Sequence, residues 1–171
     1  YNVEVSAWVT QENWLCSEEL ADGLWYWRVC AQDNAGNTGL FSEWTPFTID
    51  TVCPTAPSLL SPENGADIDG TKARFEWTEA SDDRTGIEGY LVQFSRDPDF
   101  SQTENEFTEN SWLCACLPGF GVWYWRVISR DRAGNENLSE ARWIHCRTWT
   151  ELEGWECACS GLGTWIHVDD L

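Results

Sequence analysis

Apolar and polar residues alternate along several short segments of this chain, a pattern typical of half-buried β-strands. The clearest of these segments are residues 1–6, 24–32, 74–78, 90–95 and 122–130. No segment repeats its apolar residues every 3.6 positions, as an amphipathic helix would. The pattern therefore predicts an all-β protein with almost no helix.

One stretch of the sequence occurs twice. Residues 14–37 and residues 112–135, which lie 98 positions later, agree at 13 of 24 aligned positions without a gap. Repetition at a fixed period marks a chain that is built from copies of one module. A period near 100 residues suits an immunoglobulin-like β-sandwich and is too long for a helical solenoid repeat. We therefore expect tandem sandwich modules.

The repeated strand predicts which side chains form the core of each module. In the first copy, one face carries no charge and consists of Trp25, Trp27, Val29 and Ala31. Because charged side chains avoid the interior, we assign this face to the core. We expect Trp27 and its counterpart Trp125 to be buried at matching sites.

Each copy of the strand is followed by a turn, at residues 33–37 and 131–135. An Asp opens the turn through its side chain and a Gly supplies a positive φ. We expect Gly36 and Gly134 to adopt positive φ in hairpins that join the last two strands of each module. In the first module the closing strand is residues 44–49.

Two stretches of the second copy are predicted to be loops. Residues 80–89 are acidic and contain glycine, and residues 96–107 include nine residues that the first copy lacks. Loops accept such insertions far more readily than strands do.

The repeat divides the chain into three predicted parts. Residues 1–50 form a partial module without its opening strands, residues 51–149 form a complete module, and residues 150–171 form a tail or the remnant of a further module. Residues 51–62, with three prolines, read as an extended linker into the second module. Two explanations for the partial module stay open: upstream residues supply the missing strands, or a neighbouring chain donates them and the contact propagates as a filament.

Composition and charge narrow the class of protein. No apolar run approaches the roughly 18 residues of a membrane span, and a net charge of −19 repels phosphate backbones, so we expect no nucleic-acid partner. Eight cysteines suit an oxidising compartment. Their pairing cannot be deduced from sequence, and disulfides, buried thiols and a four-thiolate zinc site at Cys114, Cys116, Cys157 and Cys159 all remain open.

The remaining candidates for chemistry are loops and aromatic residues. The acidic stretches 67–70, 81–83 and 97–99 offer oxygen ligands for Ca²⁺, although none fits a twelve-residue calcium loop and solvated turns are the favoured explanation. Exposed Trp could stack on sugars, but most Trp lie on alternating strands and are predicted to be core. His145 and His167 stand alone, so we expect a protein that is not an enzyme, with no catalytic, cofactor-binding or metal-binding residues assigned.

Several segments resemble the fibronectin type III-like and related immunoglobulin-like domains of bacterial and archaeal secreted proteins. They are residues 20–37, with the pattern L-x-D-G-x-x-Y-W-R-V-x-A-x-D-x-A-G-N, the linker-like residues 51–65, and residues 75–77 and 86–90. The resemblance covers residues 1 to about 149 and implies tandem fibronectin type III-like β-sandwiches.

The resemblance also implies a setting and a role. Such modules serve as spacers, adhesins and accessory domains of secreted or surface proteins. We therefore expect an extracellular or cell-surface structural or adhesive repeat module, with neighbouring modules or copies of itself as partners. The alternative is a carbohydrate-binding accessory region of a larger extracellular enzyme, with polysaccharide as the partner.

Overall fold

The computed structural model describes Ala7, residues 19–148, and the backbone of two short strands at 155–157 and 165–167. The chain divides into two compact units, residues 1–51 and residues 52–171, called unit 1 and unit 2 below. The predicted strand at residues 1–6 lies outside the described residues. The described residues contain strands and turns and no helix, as the alternating pattern predicted.

Unit 1 contains one antiparallel pair among its described residues. Strand β1 (Gly23–Trp27) pairs with β2 (Thr45–Ile49), and Trp25 lies opposite Phe47. The closing strand predicted at 44–49 is confirmed. The first strand ends at Trp27 rather than at residue 32. Beyond it, the isolated bridge between Gln32 and Thr38 and the backbone hydrogen bonds from Gly39 to Ala31 and from Ser42 to Val29 continue the contact.

Unit 2 is a sandwich of two sheets. The smaller sheet has the order β3-β5-β8, with β3 (Leu59–Ser61), β5 (Lys72–Trp77) and β8 (Trp112–Cys116). The larger sheet consists of β4 (Ala66–Asp69), β6 (Ile87–Ser95), β7 (Glu104–Thr108), β9 (Gly121–Asp131), β10 (Glu136–Leu138) and β11 (Arg142–Arg147). Its order is β4-β11-β9-β6-β7, and β10 also pairs with β9. In the tail, β12 (Trp155–Cys157) pairs with β13 (Trp165–His167).

The core of unit 2 lies between the two sheets. The inward face of β9 carries Trp123, Trp125, Val127 and Ser129, all buried, so the alternation predicted for this strand is confirmed. The facing sheet contributes Phe75, whose ring meets the rings of Phe94 and Trp125 edge to face at 4.8 and 4.9 Å. Edge-to-face rings stabilise a core beyond the area that they bury.

The prediction that Trp27 is buried like Trp125 is wrong. Trp125 is fully buried, whereas Trp27 is 53% exposed. The two residues have the same sequence neighbours, but Trp125 faces Phe75 of the smaller sheet, and the described part of unit 1 contains no second sheet. Alternation selects a face, and only an opposing layer buries it.

Three further expectations about loops need correction. Ala66–Asp69, assigned to an acidic loop, is strand β4, which pairs in parallel with β11. The predicted loop at 96–107 contains the start of β7, which pairs with β6. The loop predicted at 80–89 ends earlier, because β6 begins at Ile87. Polar strands such as β7 escape detection because one edge of a sheet need not be apolar.

The two turns adopt the predicted backbone conformation. Gly36 has a φ of 92° and Gly134 a φ of 95°. In each turn the Asp carboxylate accepts hydrogen bonds from two backbone N–H groups and from the Asn side chain: Asp33 from Ala35 and Asn37, and Asp131 from Ala133 and Asn135. In unit 2 the turn leads into the short β10, and the strand after that is β11, so the hairpin does not join the last two strands.

Replacing Gly134 with valine is expected to destabilise unit 2 by about 1–3 kcal/mol, because a β-branched residue is strained at positive φ. Gly36→Val, at the same φ, should destabilise unit 1 through the same strain. Urea unfolding followed by circular dichroism measures both. Gly39→Val, where φ is not in the positive range, is the control. Unchanged midpoints in both turn variants would contradict the prediction.

Beyond the turn, both copies share a pair of hydrogen bonds through a serine hydroxyl, and this serine lies outside the aligned residues. The backbone N–H of Val127 donates to the Ser139 hydroxyl, which donates to the carbonyl of Glu140. Val29, Ser42 and Glu43 make the same two contacts in unit 1. The second copy is one residue shorter before this serine, which hid the equivalence in a gapless comparison.

Candidate functional site

The acidic loops direct their carboxylates at the protein's own backbone. Asp82 accepts from the N–H groups of Arg84, Thr85 and Gly86 at 3.1, 2.8 and 2.8 Å. Asp97 accepts from the Ser101 hydroxyl and from the N–H of Asp99. Such contacts are typical of Asx turns, in which an Asp side chain organises a loop.

These hydrogen bonds lower the pKa of the carboxyl groups that accept them. At Asp33 and Asp97 the largest cause is a side-chain hydrogen bond, from Asn37 and from Ser101. At Asp82 desolvation raises the pKa, but the backbone N–H groups of Gly86, Thr85 and Arg84 outweigh it and the net pKa is lowered. A donor that binds the ionised form favours that form.

We predict that the protein loses stability as the pH falls below about 4. A lowered folded-state pKa gives stabilisation that is complete above the unfolded pKa and is lost as the pH falls through the folded pKa. Thermal melts between pH 7 and pH 2.5 should show the melting temperature decreasing in this window. Asp82→Asn should flatten the decrease, while Asp83→Asn, beside it in the same loop, should not. A melting temperature that is constant down to pH 2.5 would contradict the prediction.

The acidic stretch at residues 67–70 contributes to a small polar cluster on the larger sheet. Asp67 on β4 pairs with His145 on β11, whose Nδ1 lies 3.2 Å from its carboxylate, and with the Arg147 guanidinium. Parallel pairing of β4 and β11 sets His145 opposite Asp67. His145 is thus held by a neighbouring strand, as expected for a structural histidine. His167 lies in β13, whose side chains are outside the described part.

The described cysteines are all free thiols: Cys30, Cys53, Cys114, Cys116 and Cys146. Cys114 and Cys116 alternate with the buried Ala115 and therefore lie on the outer face of β8. Cys146 is buried in the core, and desolvation raises the pKa of its thiol. Cys159 lies outside the described residues, so the four-thiolate zinc site stays a prediction.

A cleft of about 630 Å³ lies at one end of unit 2. We call it the end cleft. Four separate segments line it: the residues after β5, the first half of β6, the β7–β8 connection with the start of β8, and the turn after β9. The lining includes the side chains of Glu79, Tyr90, Glu109, Asn110, Trp112 and Arg132. Sequence analysis missed this site because no single segment carries it.

Two aromatic residues, Tyr90 and Trp112, and several polar residues line the end cleft. The guanidinium of Arg74 stacks on the ring of Trp112 at 4.6 Å and pairs with Glu76 at 2.6 Å, which fixes the indole. The buried Tyr90 hydroxyl accepts from the backbone N–H of Ala80 at 2.8 Å, and its ring packs against Trp77 edge to face. The cleft therefore presents an oriented indole beside carboxylates, an amide and a guanidinium.

Within the part of the chain that the structure describes, no helix has the length and apolar character of a membrane span.

Comparison with known proteins places the fold. No protein-family model matches the chain, and no curated protein matches it. Among solved structures, the chain is similar to the fibronectin(III)-like modules of Clostridium thermocellum CbhA, with a TM-score of 0.55 and 16% identity over 75% of this chain and 65% of that one. It is also similar to the FN1–FN3 domains of chicken CNTN1, with a TM-score of 0.51 and 13% identity over 76% of this chain and 45% of that one.

At these identities, the structural similarity shows the fold and nothing finer. The chain spans less than two thirds of the length of each of the two structures. Unit 2 is a sandwich in which three strands face a larger sheet. The fold of this chain is all-β and immunoglobulin-like, of the fibronectin type III-like class.

Proposed function

We propose that this chain is a structural or adhesive module of an extracellular or cell-surface protein, and that its role is not catalytic. One observation carries the proposal: the same strand, the same turn and the same serine hydrogen bonds occur twice, once in each unit. A module that is copied along a chain supplies length and repeated surface. The solved structures with the same fold, in CbhA and CNTN1, are described as sets of modules or domains.

The proposal includes assembly through unit 1. Trp27 and Val29 are 53% and 58% exposed, on the face whose counterpart in unit 2 is covered by the smaller sheet. An apolar face that is covered by an opposing sheet in one copy and exposed in the other is a candidate surface for another protein layer. We propose that strands of a neighbouring copy cover this face, which gives a head-to-tail contact that propagates as a filament.

Light scattering across a concentration series tests the assembly. Val29→Glu should abolish concentration-dependent association, because it places a charge in the proposed contact. Tyr26→Glu, on the opposite face of the same strand and 50% exposed, should leave association intact. A chain that stays monomeric and melts cooperatively at every concentration would overturn the filament.

Calcium at the acidic loops stays a prediction, and the expected result is a small one. Because the carboxylates of Asp82 and Asp97 already accept backbone N–H groups, ion binding must compete with those hydrogen bonds. We expect about 5 mM Ca²⁺ to shift the melting temperature no more than Mg²⁺ does. A rise specific to Ca²⁺ that Asp82→Asn or Asp97→Asn removes would identify a calcium site instead.

A further inference from the structure

The end cleft offers hydrogen-bonding groups of both kinds within one concave surface. Glu79 and Glu109 supply acceptors, Arg132 supplies donors, and Asn110 supplies both. The Tyr90 hydroxyl can donate while it accepts from Ala80. Ligands that match such a mixture carry many groups that donate and accept at once, as the hydroxyls of a sugar do.

Trp112 supplies the apolar contact that such a ligand also needs. The C–H faces of a sugar ring are apolar and pack on aromatic side chains. The ring of Trp112 is held from one side by Arg74, so that its orientation is set before a ligand arrives. Preorganised aromatic contact surfaces lose little conformational entropy on binding.

The charge of the cleft limits the kind of sugar. Three glutamates, Glu79, Glu88 and Glu109, line it against the single guanidinium of Arg132, in a chain of net charge −19. Glu88 is paired with Arg130 at 3.3 Å. Sulfated or uronic-acid glycans and phosphate-bearing ligands would be repelled. Neutral glycans satisfy both the carboxylates, by donating hydroxyls, and the indole.

We propose that the end cleft binds a neutral oligosaccharide, with Trp112 as the stacking platform and Glu79, Glu109 and Asn110 as hydrogen-bond partners. A volume of about 630 Å³ accommodates a few sugar units. The site would make unit 2 an adhesive module rather than a spacer, and to that extent the inference rests on the proposed function.

The test is a titration of the whole chain with neutral oligosaccharides, chosen as cellohexaose, chitohexaose and mannohexaose, after a glycan array has ranked them. Calorimetry should give binding of at least one glycan that changes little between about 50 and 500 mM salt, because hydrogen bonds and stacking are weakly screened. Trp112→Ala should weaken that binding by about tenfold or more, and Glu109→Gln by a few fold. Trp143→Ala removes a partly exposed indole from the other sheet and should leave the affinity unchanged.

Circular dichroism shows whether each variant is folded, and Asn110→Ala, in the loop before β8, provides a second site variant if Trp112→Ala fails to fold. No binding of any array glycan, or binding that Trp143→Ala weakens as much as Trp112→Ala does, would overturn the proposal. Binding of hexalysine alone, lost at high salt and in Glu79→Gln with Glu109→Gln, would overturn it in favour of a basic peptide ligand. These results leave the light-scattering test of assembly untouched, so the two proposals fail separately.

Discussion

Replacing Trp125 with alanine is expected to lower the free energy of unfolding of unit 2 by about 3–5 kcal/mol. The side chain is fully buried at the centre of β9, and its ring lies 4.9 Å from that of Phe75 on the facing sheet. Truncation removes the contact between the two sheets and leaves a cavity that rigid strands cannot close. Such a loss is a large part of the stability of a domain.

The repeat provides the control for this experiment. Trp27→Ala changes the same residue in the same sequence context, but Trp27 is half-exposed, so in the unassembled chain at low concentration we expect a loss below about 1 kcal/mol. Trp125→Phe should cost less than Trp125→Ala, because it keeps a ring and removes an indole N–H that has no hydrogen-bond partner among the described residues. Calorimetric unfolding measures all three. Equal losses for Trp27→Ala and Trp125→Ala would contradict the assigned core.

The contrast between these two residues shows what a sequence pattern determines. Local contacts are the same in both copies: the Trp25 indole donates to the carbonyl of Ala21 and that of Trp123 to the carbonyl of Gly119, each at 2.8 Å. The turn hydrogen bonds also agree. Interactions within a few residues follow from sequence, so these strands and turns were predictable. Burial depends on a second layer, which local sequence does not specify.

The same reason explains what sequence analysis missed. Strand β4 is polar on the outside and forms only by parallel pairing with β11, where Asp67 meets His145. The acidic residues there suggested a calcium loop because nothing local predicted their partners. The end cleft joins Glu79, Glu109 and Arg132 from segments that are far apart in sequence. No local pattern in the sequence distinguishes Trp112 from the Trp residues that are predicted to be core.

Replacing Arg142 with alanine is expected to destabilise unit 2 by about 2–3 kcal/mol. Its guanidinium donates to three carbonyl oxygens of the first segment of the sandwich: Leu59 at 2.6 Å, Leu60 at 3.1 Å and Pro62 at 2.7 Å. Strand β3 is an edge strand of three residues, held by β5 on one side. Arg142 therefore joins the edge of the smaller sheet to β11 of the larger one.

The geometry also predicts which substitution fails to replace it. Lysine has the charge but lacks the planar fork that reaches several carbonyls at once, so Arg142→Lys should recover only part of the loss. Arg147→Ala, at the exposed end of the same strand, removes an ion pair with Asp67 and should cost less than about 1 kcal/mol. Urea unfolding ranks the three variants, and amide hydrogen exchange locates the effect. Because the β3 carbonyls lose the guanidinium donor that fixes the strand against β11, the amides of Leu59 and Ser61 should exchange faster in Arg142→Ala while those of β9 keep their protection until global unfolding. Uniform acceleration in both strands would show that Arg142 acts on the whole sandwich rather than on its edge.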